Sequence, residues 1–200
     1  MTRTTLSAQA PGRDDTSARH NGGLTGPVTG GRLAMAYGAA ALVMGAAQAV
    51  RPPEDTVAAI DAPMRWLLAL FAVSLLLVSP AHLALARFAR GTLGGRLAAA
   101  GTPLLAVGAM SSAVNGEDLA FFPAIAMVAN GLWLVGSVVL GVSLWRARRV
   151  PRWVAVLLPV SMPVTLVLSQ MGSGLLVGAF WVTLGALMAT GKLDHRARRH

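Results

Sequence analysis

The sequence contains no cysteine. This absence excludes a disulfide framework, thiolate metal ligands and a cysteine nucleophile. Charge is also scarce, since only 12% of the 200 residues are Asp, Glu, Lys or Arg, about half of the fraction usual in a soluble domain. Four long stretches contain no charged residue at all: 66–86, 97–116, 119–145 and 153–191. So few polar residues cannot cover a water-facing surface.

Apolar runs of membrane-spanning length occupy most of the chain. An α-helix needs about 20 apolar residues to cross a hydrocarbon core of roughly 30 Å. The last two runs form one uninterrupted apolar stretch, which is too long for a single span. The glycine-rich segment 170–174 supplies a turn between them. We therefore predict an all-α integral membrane bundle with six transmembrane helices in residues 33–190. The predicted spans are 33–50, 66–86, 97–114, 121–145, 153–169 and 174–190.

The charges predict the orientation of these helices. Short cytoplasmic loops carry an excess of Lys and Arg, and placing the N-terminus inside puts fifteen of the 17 basic residues on the inner face. Only Arg51 and Arg65 then lie outside, together with five of the eight acidic residues. We expect both termini to be cytoplasmic, with a disordered tail over 1–32 and a basic tail over 191–200.

The basic residues also indicate the compartment and the partners. All but Lys192 are arginines, and Ala and Gly are abundant, a bias that favours a bacterial plasma membrane protein. The arginine collars at the inner span ends should attract anionic lipid headgroups. Nucleic-acid binding is not predicted, because neither a basic domain nor an interleaved aromatic platform accompanies the charge.

Two features of the sequence leave alternatives open. The triplet 47–49, Ala-Gln-Ala, resembles a signal-peptidase site, and cleavage there would leave five spans. Aligning 31–50 with 95–114 gives eight identities in twenty, an offset of 64. With a weaker match at an offset of 56, this alignment indicates three related helical hairpins.

Three polar side chains inside the spans are candidates for substrate binding, since buried polar groups are costly in a membrane. Asn130 falls near the middle of the fourth span, and His82 is the only histidine within a span. Ser161 lies between Pro159 and Pro163, which should kink the fifth helix and free backbone carbonyls, as Pro80 should in the second. The alternative for Asn130 and His82 is a hydrogen bond to a neighbouring helix.

Small residues form a stripe along the sixth span. Gly174, Gly178 and Gly185 permit close approach of another helix. This helix-packing stripe fits either contact within the bundle or a homo-oligomer.

The sequence favours a non-enzymatic role. No charged residue lies inside a span, which argues against a carboxylate proton relay or a voltage sensor. We predict no catalytic residue, metal site or cofactor. The first hypothesis is a structural, regulatory or partner-binding membrane protein. The second is a small-solute transporter or channel subunit with its site near Asn130 and the kinked fifth helix. An intramembrane enzyme using His82 is the third.

Overall fold

The computed structural model describes residues 26–50, 60–168 and 171–193. These residues form six α-helices and no strand, so the predicted all-α fold is confirmed. The two tails, apart from 26–32 and 191–193, lie outside the described residues, as do most of the first interhelical loop and Gln170. The helices are α1 (Pro27–Val50), α2 (Ala62–Ala86), α3 (Leu93–Asn115), α4 (Phe122–Ala147), α5 (Arg152–Val167) and α6 (Gly174–Ala189).

The first three helices begin earlier than the predicted spans. Helix α1 starts at Pro27 rather than at residue 33, while α2 and α3 each start four residues before the predicted boundary. The predicted spans contain only the residues suited to the hydrocarbon core, whereas the helices extend beyond these apolar residues to a capping or turn residue. Proline favours the first helical position of α1, and Asp61 caps α2 by accepting a 2.9 Å hydrogen bond from the Met64 N–H.

The six helices form a closed ring in which each packs against the two that flank it. Helix α1 contacts both α2 and α6, and the remaining contacts follow chain order. The most extensive interfaces are α1 with α6 and α3 with α4, whereas the contact between α5 and α6 is the smallest in the ring. The α5–α6 side is therefore the most loosely packed part of the wall.

Helices α1 and α6 meet backbone to backbone. Gly31, Gly38 and Gly45 recur every seven residues on α1 and face the α6 stripe of Gly174, Gly178 and Gly185. A Cβ added at Gly38 would lie 2.7 Å from the Gly178 carbonyl oxygen, closer than atoms can approach. The structure thus places the α6 stripe inside the bundle, against the first helix of the same chain.

Glycines also allow close contact between helices α3 and α4. Gly94, Gly101 and Gly108 also recur every seven residues, and a Cβ at Gly101 would lie 2.6 Å from the Ala129 carbonyl oxygen. Each of these glycines lies 63 positions after a glycine of the α1 series, whereas the sequence alignment of the two segments used an offset of 64. However, α3 and α4 share a large face while α5 and α6 barely touch. The three-hairpin repeat therefore stays a prediction.

The described charges divide between the two ends of the bundle. One end, here called the arginine end, carries the nine described cations other than Arg65: Arg32, Arg87, Arg90, Arg96, Arg146, Arg148, Arg149, Arg152 and Lys192. The opposite end, here called the acidic end, carries Asp61, Glu117 and Asp118 together with Arg65. Helices α1 to α4 are long and apolar enough to span a membrane, while α5 and α6 have 16 residues each, about 24 Å of helix.

Arg65 has a structural role at the acidic end. Its Nε donates a 2.7 Å hydrogen bond to the Ala113 carbonyl, and its Nη2 donates to the Val114 carbonyl. These carbonyls belong to the last turn of α3, where backbone acceptors lack helical partners and a positive charge is favourable. The guanidinium therefore caps α3, which explains a cation at an end otherwise rich in carboxylates.

Replacing Gly38 by alanine tests the backbone contact between α1 and α6. The added methyl overlaps the carbonyl of Gly178 and the N–H of Val182, both at 2.7 Å, so we expect destabilisation of about 1–3 kcal/mol. The readout is the thermal unfolding midpoint in detergent. Gly131→Ala on α4 is the matched control, because a Cβ there meets nothing within 4 Å. Equal midpoints for both variants would refute the close packing.

Candidate functional site

All six helices contribute to a cavity of about 390 Å³ inside the ring. It extends from the acidic end to the middle of the bundle, and its walls are mainly aliphatic, aromatic and methionine side chains. Ligand pockets in proteins usually measure roughly 300–1,000 Å³, so this one suits a small molecule. Its lining residues include Tyr37, Met44, Gln48, Met64, Phe71, Leu105, Phe122, Ala126, Asn130, Trp133, Met162, Thr165 and Val177.

Asn130 lines this cavity from α4, one helical turn from Ala126 and Trp133. Its Oδ1 atom is buried and has no hydrogen-bond partner among the described residues. An interhelical hydrogen bond was the alternative explanation for a polar residue at this depth, and the described residues provide none for Oδ1. A buried acceptor without a partner typically costs about 1–3 kcal/mol. The position thus suits an acceptor that a bound molecule would satisfy.

Helix α5, which contains Pro159 and Pro163, contributes to the cavity through residues other than the predicted Ser161. Ser161 is buried but does not line the cavity, and its hydroxyl donates a 2.7 Å hydrogen bond to the Leu158 carbonyl of its own helix. Met162 and Thr165 line the wall instead. Thr165 Oγ1 donates to the Ser161 carbonyl at 2.8 Å, so the hydroxyl is already partnered.

The carbonyls released by the prolines are not all open to the cavity. Pro159 cannot bond the carbonyl of Ala155, and that oxygen lies against α4, 2.6 Å from the position that a Cβ on Gly141 would take. At the second helix, the residue before Pro80 bridges to α3, since the Ser79 hydroxyl donates a 2.8 Å hydrogen bond to the Ala99 carbonyl. The backbone carbonyl released by Pro159 and the hydroxyl that precedes Pro80 therefore both contact a neighbouring helix, and the kinks at these prolines stay predictions.

His82 is fully buried but lies outside the cavity. Its Nδ1 is 3.0 Å from the Val78 carbonyl, and because a carbonyl only accepts, Nδ1 carries a proton; in a neutral ring Nε2 is then an acceptor. Nε2 has no partner among the described residues. The ring packs edge-on against Trp181, with centroids 5.1 Å apart. The structure therefore does not bring His82 together with Asn130.

An aromatic column connects the cavity with the region of His82. Tyr37, the only tyrosine in the chain, lines the cavity and packs edge-on against Trp181 with centroids 5.5 Å apart. Trp181 in turn contacts both His82 and Phe180. Sequence reasoning missed Tyr37, although a hydroxyl-bearing ring inside the first predicted span was a visible signal.

The charged and metal-binding chemistry of the described residues is limited. No group of three His, Asp or Glu side chains comes together in the part of the chain that the structure describes. At the acidic end, Asp118 accepts a 2.5 Å hydrogen bond from the Ser112 hydroxyl, and Asn115 donates to the Ser111 carbonyl. These polar groups therefore complete the end of α3.

Comparison with known proteins identifies no relative. No protein-family model matches the chain, and no curated protein or solved structure is significantly similar to it.

Replacing Asn130 by leucine tests whether its side-chain amide is available to a ligand or holds neighbouring helices together. Because Oδ1 has no described partner, we expect the ligand-free protein in detergent to unfold at an equal or higher temperature, with a gain of up to about 1 kcal/mol. Asn115→Leu is the control, since this exposed amide lies outside the cavity and already donates to a backbone carbonyl, so its replacement should change the unfolding temperature little. A marked destabilisation by Asn130→Leu would show instead that the amide joins helices.

Proposed function

We propose that this chain is a multi-span membrane protein that binds a small, uncharged, mainly apolar molecule in its central cavity. The observation that carries the proposal is the buried Oδ1 of Asn130, which has no hydrogen-bond partner among the described residues and lies in a cavity bounded by all six helices. Of the hypotheses drawn from the sequence, this supports the small-solute transporter or channel subunit over the structural or regulatory protein. The latter gives no reason for such a cavity.

The lining defines the chemistry of the ligand. None of the described lining residues is charged, so an ionised ligand would be desolvated without a counter-charge. Met44, Met64 and Met162 supply flexible, polarisable walls that adapt to irregular shapes. The Asn130 amide can accept from a hydroxyl or an N–H group on the ligand. An aromatic or aliphatic alcohol fits this combination.

The mobile part of the wall would be α5. It contains Pro159 and Pro163, each of which removes a helical hydrogen bond, and its contact with α6 is the smallest in the ring. Because Met162 and Thr165 of α5 line the cavity, a movement of α5 would change the shape of the cavity. This arrangement favours a carrier, in which the wall moves, over a static binding protein.

The proposed setting is a bacterial plasma membrane that all six helices cross, with the arginine end in the cytoplasm. The division of charge between the two ends supports this orientation. Helices α5 and α6 are short for a span, and flanking Arg152 and Lys192 can reach the headgroups by extending their side chains. The cavity would then be entered from outside, because it extends to the acidic end.

Filling the cavity tests the proposed binding. Ala126→Phe adds a ring to a lining position, whereas Ala124→Phe, two residues away, adds the same ring to an exposed position of α4. The probe is 2-naphthol, an uncharged fluorescent ring system with one hydroxyl, titrated onto the full chain in detergent. We expect saturable binding to the wild type and to Ala124→Phe, and loss of about tenfold or more in affinity for Ala126→Phe.

Native mass spectrometry of the same proteins gives an independent readout. A stoichiometric small molecule carried from the source membrane by the wild type and the control, but not by Ala126→Phe, supports the proposal. Equal probe binding by all three proteins, or no saturable binding by any, contradicts it.

A reporter fused after His200 tests the orientation. With the arginine end in the cytoplasm, a reporter active only inside the cell should be active at this position, and it should be so whether or not the first span is cleaved. Activity of an externally active reporter at His200 would refute the proposed topology.

A further inference from the structure

A second pocket lies at the arginine end, and it shares no lining residue with the central cavity. It has a volume of about 730 Å³ and is lined by Arg90 from the α2–α3 connection and by the segment 145–148 at the end of α4. This segment contains Trp145, Arg146, Ala147 and Arg148. Three arginine residues therefore border one pocket.

These guanidinium groups have no carboxylate partner among the described residues. The described carboxylates are Asp61, Glu117 and Asp118, all at the opposite end of the bundle. Three like charges that border one pocket repel one another, and an anion placed between them would relieve this repulsion. Arginine is well suited to a phosphate, because its planar fork donates two parallel hydrogen bonds.

The backbone at the end of α4 is held in an unusual conformation. Arg148 has φ +55°, and it is the only non-glycine residue with positive φ in the described ranges. Its N–H donates a 3.1 Å hydrogen bond to the Leu144 carbonyl, which ends the helix. Left-handed conformations cost energy in residues with a side chain, and glycine is the usual residue at such a helix end. An arginine here therefore suggests that its guanidinium has a binding role.

An apolar stripe leads away from this pocket along α4. Val135, Val138, Val142 and Trp145 are exposed and spaced by three or four residues, so they share one helix face. Trp145 lies where the stripe meets the pocket, and Arg152 stacks over its ring at 5.4 Å. A tryptophan that lies between a polar, water-exposed region and an apolar surface is typical of the membrane interface.

We propose that this pocket is a binding site for an anionic phospholipid, with the phosphate group among Arg90, Arg146 and Arg148. One acyl chain lies along the apolar stripe of α4. The phosphate supplies the missing counter-charge, and the stripe supplies an apolar surface continuous with the pocket. The site requires a membrane setting but is independent of the central cavity, and the two proposals can fail separately.

The test compares two double variants that remove the same charge from the same end. Arg90→Gln with Arg146→Gln removes two pocket residues, whereas Arg96→Gln with Arg149→Gln removes two exposed arginines outside the pocket. The full chain in detergent is titrated with phosphatidylglycerol and with phosphatidylcholine of identical acyl chains, and bound lipid is counted by native mass spectrometry. We expect tighter binding of one phosphatidylglycerol, weakened about tenfold or more by the pocket variant and less than about twofold by the control.

Three results would overturn the proposal. Equal weakening by both variants would mean that diffuse charge attracts the lipid. Equal binding of the two lipids would mean that the headgroup is not recognised. Full displacement of phosphatidylglycerol by millimolar inorganic phosphate would mean that the pocket binds an anion without the chain. Unchanged thermal unfolding of the pocket variant confirms that it is folded when its lipid binding is measured.

Discussion

The backbone contact between α1 and α6 closes the ring, and the cavity depends on that closure. In the proposed membrane setting, side chains gain little by leaving lipid for protein, so helices associate through close packing rather than through the hydrophobic effect. Glycines every seven residues allow such packing over the whole length of α1, from Gly31 near the arginine end to Gly45 near the acidic end. The first and last helices of the chain are thereby joined.

The same constraint explains why the site lies where it does. Helices α1, α6, α3 and α4 are held by glycine contacts in two tight pairs, while α5 lacks glycine and carries two prolines. The cavity lies between these pairs towards the acidic end, where α2 and α5 complete its wall. Helix α5 completes the wall loosely, which is the arrangement that a protein needs if a ligand has to enter.

The sequence indicated Asn130 and the fifth helix as the place of a site, and both line the cavity, but it did not indicate the other lining residues. Asn130 was identified because an amide is costly within a span, and it does line the cavity. The same reasoning selected His82 and Ser161, but Ser161 bonds its own helix and His82 packs against Trp181. Polarity shows that a residue needs a partner. Whether that partner is the helix, a neighbouring ring or a ligand depends on the direction in which the side chain points.

Composition by itself indicated that the chain is apolar and helical, because an uncharged run of about 20 residues has the length at which an α-helix crosses a hydrocarbon core and satisfies its backbone hydrogen bonds within the run. The charges at the span ends likewise predicted which ends lie together. Only the tertiary structure decided that α1 pairs with α6, that the α6 glycines face inward, and that Asn130 borders a cavity. These contacts join residues far apart in the chain, and no local pattern specifies which helix faces another.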